Sequence, residues 1–171
     1  MSRPVLEIAQ LRLRYPGGDR WTLNGLDLTL RSGETLALVG ASGCGKSTVA
    51  RAVMQLLPQG TECEGTLRLT NIDPRKLDRP ALRRLRGLAA GLVFQDQMTR
   101  LNPLMTVGAH LLDTLKAHRP DSSDRWRQQR RDELLERVGI GARRRRAFPH
   151  ELSGGMRQRL AIALAIALEP P

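Results

Sequence analysis

Apolar runs of strand length dominate the first half of the chain, and helical patterns take over in the second. Strand-like segments fall at Val5–Leu13, Leu23–Leu30, Thr35–Val39, Gly65–Leu69 and Leu88–Phe94, which together predict a mixed sheet. A helical stretch follows the third segment and ends near Pro58. Asp78 with Pro80 opens a short helix, Leu104–His118 and Arg125–Val138 give two more, and Ser153 caps an apolar helix running through Leu168. Segment 119–124, with Pro120 and two serines, is a loop. No internal repeat or low-complexity tract interrupts this order, and the class expected is α/β.

The junction between the third strand-like run and the first helix carries the clearest chemistry. Residues Gly40 to Thr48 spell GASGCGKST and fit GxxxxGK[ST] with Gly40, Gly45, Lys46 and Ser47 in register. Glycines at 40, 43 and 45 let the backbone curl and turn its N–H groups inward, around phosphate oxygens at the positive end of the following helix. The cradle expected is Gly40, Ser42, Gly43, Cys44, Gly45, Lys46, Ser47 and Thr48. Lys46 would place its ammonium against the β and γ phosphates of a nucleotide, Ser47 would ligate Mg²⁺, and Thr48 would make a secondary phosphate contact. This loop alone does not separate a transporter from a kinase or a GTPase.

A second glycine motif discriminates. LSGGMRQR, Leu152 to Arg159, begins where Ser153 can cap a helix while Gly154 and Gly155 leave its first N–H groups uncovered, a second anion site. The pair of motifs resembles ABC transporter ATPases, and Met156 with Arg157, Gln158 and Arg159 resembles the oligopeptide, dipeptide and nickel importer branch. The resemblance implies a P-loop NTPase fold with a RecA-like lobe, residues 1–95 and 157–171, and a helical subdomain, about 96–156. It implies that Ser153, Gly154 and Gly155 face the ATP held by a second ATPase subunit in a head-to-tail dimer. GLVFQDQMTRLNPLMTVG, Gly91 to Gly108, is similar to the family's Q-loop, which would bring Gln95 to Mg²⁺ and the attacking water and place the following loop at the docking groove of a membrane subunit. Gln97 and Arg100 stand where the branch usually has Pro and Ser, which weakens any inference about the docked partner but not about the ATP site. Tyr15, the only tyrosine, matches the position of the family's adenine-stacking aromatic, though a tyrosine there could equally pack on the core.

Composition narrows the setting. The 171 residues are 40% hydrophobic, enough to bury a domain core. Two cysteines make no disulfide framework, MSRPVLEIAQ has no signal-peptide apolar segment, and the longest apolar run, Leu160–Leu168, is far short of the roughly 20 residues of a bilayer span. These features and the resemblance imply the cytoplasmic face of the membrane, with two permease subunits and an extracytoplasmic solute-binding protein as partners. The net charge of +11 concentrates at Arg83, Arg84 and Arg86, from Arg125 to Arg131 and at Arg143–Arg146. Aromatic content is 3%, with no interleaving of basic and stacking residues, so nucleic acid is not the expected partner. Asp132, Glu133 and Glu136 among the arginines mark the solvated face of a helix, with attraction to anionic headgroups as the functional alternative. His110, His118 and His150 have no metal-ligand spacing.

In the family an Asp for Mg²⁺ and a Glu that polarises water follow the signature helix, after a further strand. This chain ends at Glu169, Pro170 and Pro171, so the resemblance implies that the catalytic Glu is absent and the sequence cut short. Asp96, Glu151 and Glu169 are the nearest acidic residues, none placed after a strand as the chemistry requires. ATP and Mg²⁺ are the cofactors expected, with little hydrolysis by the chain alone. A non-hydrolysing nucleotide-binding module, a gene remnant, and a cytosolic ABC-type protein acting on the ribosome or DNA stay open as alternatives.

Overall fold

The computed structural model describes residues 4–94 and 101–171. The chain forms two compact units, one within Met1–Ala89 with Pro171, the other within Ala90–Pro170. The first is built on three strands, β1 (Pro4–Arg14), β2 (Leu23–Arg31) and β3 (Glu62–Leu69), in the order β2-β1-β3 and antiparallel throughout. Leu6 pairs with Leu30 on one side and Leu69 on the other, and Ile8 with Leu28 and Leu67, so apolar positions line up across all three strands.

Strict alternation along β1 would send Ile8 and Leu11 to opposite faces, yet Ile8, Leu11 and Leu13 are all buried. A bulge resolves the parity: the register to both neighbours shifts after Ile8 and Ala9, and Gln10 adopts φ 50°. Asp27 holds it there, one carboxylate oxygen accepting from Gln10 N–H and the other from Gln10 Nε2, each at 2.7 Å.

Helix α1 (Lys46–Val53) buries Thr48, Val49, Ala52 and Val53. It stops at Val53, before Pro58, in a left-handed turn at Gln55 (φ 50°): Gln55 N–H is donated to Ala52 O at 3.0 Å and Leu56 N–H to Arg51 O at 2.8 Å. Just past the helix, Arg86 donates from Nε to Met54 O at 2.8 Å and from Nη2 to Gln55 O at 2.6 Å. Arg86 comes from α2 (Arg79–Leu88), whose start is as expected: Pro80 lies in the first turn and the Asp78 carboxylate accepts from Ala81 N–H at 2.8 Å.

Two expected strands are not formed, and the mixed sheet is therefore not found among the described residues. Thr35–Val39 has no ladder partner, and Leu36, Leu38 and Val39 are 50%, 40% and 84% exposed. Leu88 closes α2 and residues 91–94 carry no regular structure. A continuous apolar run has the composition of a buried central strand, but a strand exists only when neighbours pair with its edges, and neither run pairs with β1, β2 or β3.

The second unit packs α3 (Val107–His118), α4 (Asp124–Arg137) and α5 (Gly154–Ala165) around Val107, Leu111, Leu115, Leu134, Leu135, Leu160 and Ala163. Thr106, Ser123 and Ser153 cap the three helices through side-chain oxygens that accept N–H groups three residues on. The Thr106 cap starts α3 later than the expected Leu104, which is 86% exposed. Helix α5 ends at Ala165 rather than Leu168. Arg159 on α5 donates to Gly139 O at 2.7 Å and so satisfies a carbonyl just past the end of α4. Residues 157–170 lie in the second unit with α3 and α4.

Candidate functional site

The loop at 40–45 is built around Lys46, the first residue of α1. Its Nζ donates to Gly40 O at 2.8 Å and Ala41 O at 2.6 Å, and Cys44 Sγ lies 3.6 Å away. The ammonium is thus held over the mouth of the loop by the loop's own carbonyls, beside a helix N-terminus whose leading N–H groups have no intrahelical acceptor. Ser42, Gly43, Cys44 and Ser47 are exposed, open to an incoming ligand.

Two glycines make this shape possible for different reasons. Gly43 has φ 80° with free space where a side chain would sit. Gly45 has φ 96° and is buried: a Cβ there would stand 2.7 Å from Leu23 Cδ2 and 3.2 Å from Thr22 O. The start of β2 therefore braces the loop where it enters α1. The cradle suits a polyphosphate, with exposed loop backbone, one lysine and a hydroxyl at Ser47.

Tyr15 immediately follows β1 and is half-buried. Its hydroxyl lies 3.1 Å from Thr48 Oγ1, and either oxygen can donate. The sequence placed both residues in the site but gave no sign of this bond, which links positions 33 apart. Nothing short of the fold could have paired them.

In the second unit Ser153 is exposed, accepts from Met156 N–H at 3.3 Å, and begins α5. Gly154 and Gly155 are exposed, and a Cβ on either would meet nothing within 4 Å, so the first turn is bare. Arg157 behind it donates to Pro149 O at 3.3 Å and steadies the preceding turn.

Gln95 and Asp96 lie outside the described residues, as do Gln97 and Arg100. The other two acidic candidates are engaged: Glu151 accepts from Phe148 N–H at 2.6 Å, and Glu169 meets Arg130 at 2.8 Å. On α4, Arg127 pairs with Asp124 and Arg131 with Asp132, but these two arginine side chains are only 11% and 13% exposed, so they do not lie on the solvated face that the charge pattern predicts. His110 is structural, with Nδ1 2.9 Å from Thr106 O and Nε2 accepting from Asn102 N–H at 3.0 Å. Among the described residues no group of three His, Cys, Asp or Glu could hold a metal ion, and no helix is long and apolar enough to cross a membrane.

Similarity to known proteins agrees with this geometry. Residues 23–171 match the family model described as ABC transporter. The oligopeptide transport ATP-binding protein OppD of Mycobacterium tuberculosis is 43% identical over 98% of this chain and 28% of its own length. The probable D,D-dipeptide transport ATP-binding protein DdpD of Escherichia coli is 42% identical over 99% of this chain and 53% of its own. The chain thus spans about half or less of these relatives. Among solved structures, the dimeric ATP-binding cassette MJ0796 bound to ADP and Pi superposes with a TM-score of 0.82 at 30% identity, over 97% of this chain and 71% of that one. With its phosphate loop, its bare serine-capped signature helix and a family match over residues 23–171, the chain belongs to the ABC transporter family of P-loop ATPases.

Proposed function

We propose that this chain is the nucleotide-holding part of an ATP-binding subunit of a peptide-type ABC importer. The observation that carries the proposal is the Gly40–Gly45 loop, closed over its own lysine at the N-terminus of α1. Bound ATP would supply the phosphoryl group, and Mg²⁺ would neutralise charge on its phosphates. Lys46 exchanges the carbonyls of Gly40 and Ala41 for the β and γ phosphates, the loop N–H groups from Ser42 to Gly45 surround the phosphate oxygens, and Ser47 with Gln95 holds the metal. Tyr15 stacks on the base. Ser153, Gly154 and Gly155 serve the nucleotide of a second ATPase subunit, and closure of that pair drives two permeases supplied by a solute-binding protein on the other side of the membrane. Supporting the peptide reading are relatives at 40–43% identity whose names specify oligopeptide or dipeptide transport.

Cys44 supplies a direct test, since it is exposed in the loop while Cys63 is partly buried in β3. MgATP should slow maleimide labelling of Cys44 and leave Cys63 unchanged; equal protection of both, or of neither, refutes occupancy of the loop. For the transport reading, proteoliposomes containing the subunit with its permeases should take up peptide in an ATP-dependent manner that Lys46→Ala abolishes.

A further inference from the structure

Thr48 is the one buried polar or charged residue among those described, at 7% exposed. Its N–H is donated to Gly45 O at 2.9 Å, and its hydroxyl meets the Tyr15 hydroxyl at 3.1 Å. A hydroxyl so buried must keep a partner. Thr48 and Ser47 sit side by side on the same first turn of α1, yet Ser47 is exposed and Thr48 faces inward, so the two hydroxyls are committed to different tasks. Tyr15, for its part, stands just beyond the end of β1, on the loop that leads through Pro16 and Gly17 toward β2, where the sheet ladder no longer fixes it.

We propose that Thr48 is a positioning residue that sets the Tyr15 ring through this hydroxyl pair, so that one helix fixes both the phosphate contacts and the aromatic platform for the base. The inference rests on the reading of Tyr15 as the base-stacking residue. It assigns Thr48 to base recognition rather than to a phosphate. Helix α1 then acts as a ruler: Lys46 and Ser47 address the polyphosphate from its first turn while Thr48, on its inner side, ties down the ring that receives the base. Cutting the tie leaves the phosphate cradle intact and loosens only the recognition of the base.

The test separates base from phosphate by titrating the chain in a calorimeter with MgATP and, separately, with magnesium tripolyphosphate, which has no base. Thr48→Val and Tyr15→Phe each break the hydroxyl pair, and Tyr15→Phe does so without touching the helix, so the result does not hang on a single variant's folding. Each should weaken MgATP about three- to tenfold, the range of one neutral hydrogen bond, and leave tripolyphosphate affinity unchanged. The double variant should lose no more than either single one, and Thr48→Ser should restore the wild-type ratio. Equal weakening of both ligands by Thr48→Val, with Tyr15→Phe silent, overturns the proposal in favour of a phosphate contact. Tyr15→Ala tells the two levels apart: if it leaves the ATP-to-tripolyphosphate ratio unchanged, the stacking role of Tyr15 fails and the positioning role with it. If Tyr15→Ala lowers that ratio while Thr48→Val and Tyr15→Phe do not, stacking stands and positioning by Thr48 is refuted.

Discussion

Alanine at Gly43 and at Gly45 separates two demands that the phosphate loop makes on its backbone. Both positions have positive φ, 80° and 96°, which costs an alanine about 1–2 kcal/mol. The loss of unfolded-state freedom returns about 0.4–1 kcal/mol. Gly43→Ala meets no atom within 4 Å, so its net cost should be about 0–1.5 kcal/mol. Gly45→Ala carries the same backbone strain and also drives a methyl to 2.7 Å from Leu23 Cδ2 and 3.2 Å from Thr22 O. Leu23 is only 7% exposed and cannot swing into solvent, so overpacking adds about 1–3 kcal/mol. For a chain of this size that difference corresponds to a melting point lower by about 2–12 °C in Gly45→Ala than in Gly43→Ala. Thermal unfolding followed by circular dichroism reads it directly. Equal melting points for the two variants would refute the claim that β2 braces the loop.

Asp73 and Arg75 give a pH-dependent prediction. Arg75 bonds both carboxylate oxygens of Asp73, at 2.9 and 2.7 Å, and reaches Gly65 O at 3.0 Å, tying the turn after β3 back to that strand. The side-chain hydrogen bond from Arg75 holds the Asp73 carboxyl below its ordinary value against the opposing effect of burial, and the guanidinium is raised in turn. A depressed carboxylate stabilises the fold above the unfolded value of about 3.9 and ceases to do so as pH falls through the lower folded value. Asp73→Asn should therefore cost about 1–3 kcal/mol in urea unfolding at pH 7, and its deficit should shrink as pH falls below about 4; a deficit independent of pH would contradict this. Arg86→Met should leave the carbonyls of Met54 and Gln55 without their donors and cost about 1–3 kcal/mol, whereas Arg83→Met on the same helix should be near neutral; equal costs in urea melts would show that Arg86 does not hold the turn after α1. Phosphate release by the 171-residue chain should stay near background, because Glu151 and Glu169 are bound to Phe148 N–H and Arg130; robust Lys46-dependent turnover would show that another carboxylate serves.

What the sequence disclosed and what it concealed divide along the range of the interactions involved. Caps at Asp78 and Ser153, and the phosphate-loop glycines, act within a few residues, and each stands where its local pattern put it. Thr35–Val39 failed as a strand because strand formation needs edge partners from elsewhere in the chain, which a run of apolar residues cannot announce. The change of face after Ile8 depends on Asp27 holding a bulge across the sheet, so alternation along β1 alone misplaces Leu11. The turn that follows α1 is held by Arg86, more than thirty positions away, through the carbonyls of Met54 and Gln55. The Tyr15–Thr48 pair belongs to the same class: both residues were marked for the site, and only the fold showed that they bond to each other.

Nucleotide binding by this chain depends on the loop from Gly40 to Thr48 holding the phosphates through Lys46. Isothermal titration of the chain with MgATP, beside Lys46→Ala, tests this most directly. The charge-assisted contact is worth about 1.5–3 kcal/mol, so the variant should bind about 10- to 150-fold more weakly with its fold unchanged by circular dichroism. One ATP per chain and that loss are expected; MgATP binding of equal strength in the two proteins, or none in the wild type, would contradict a nucleotide site at Lys46.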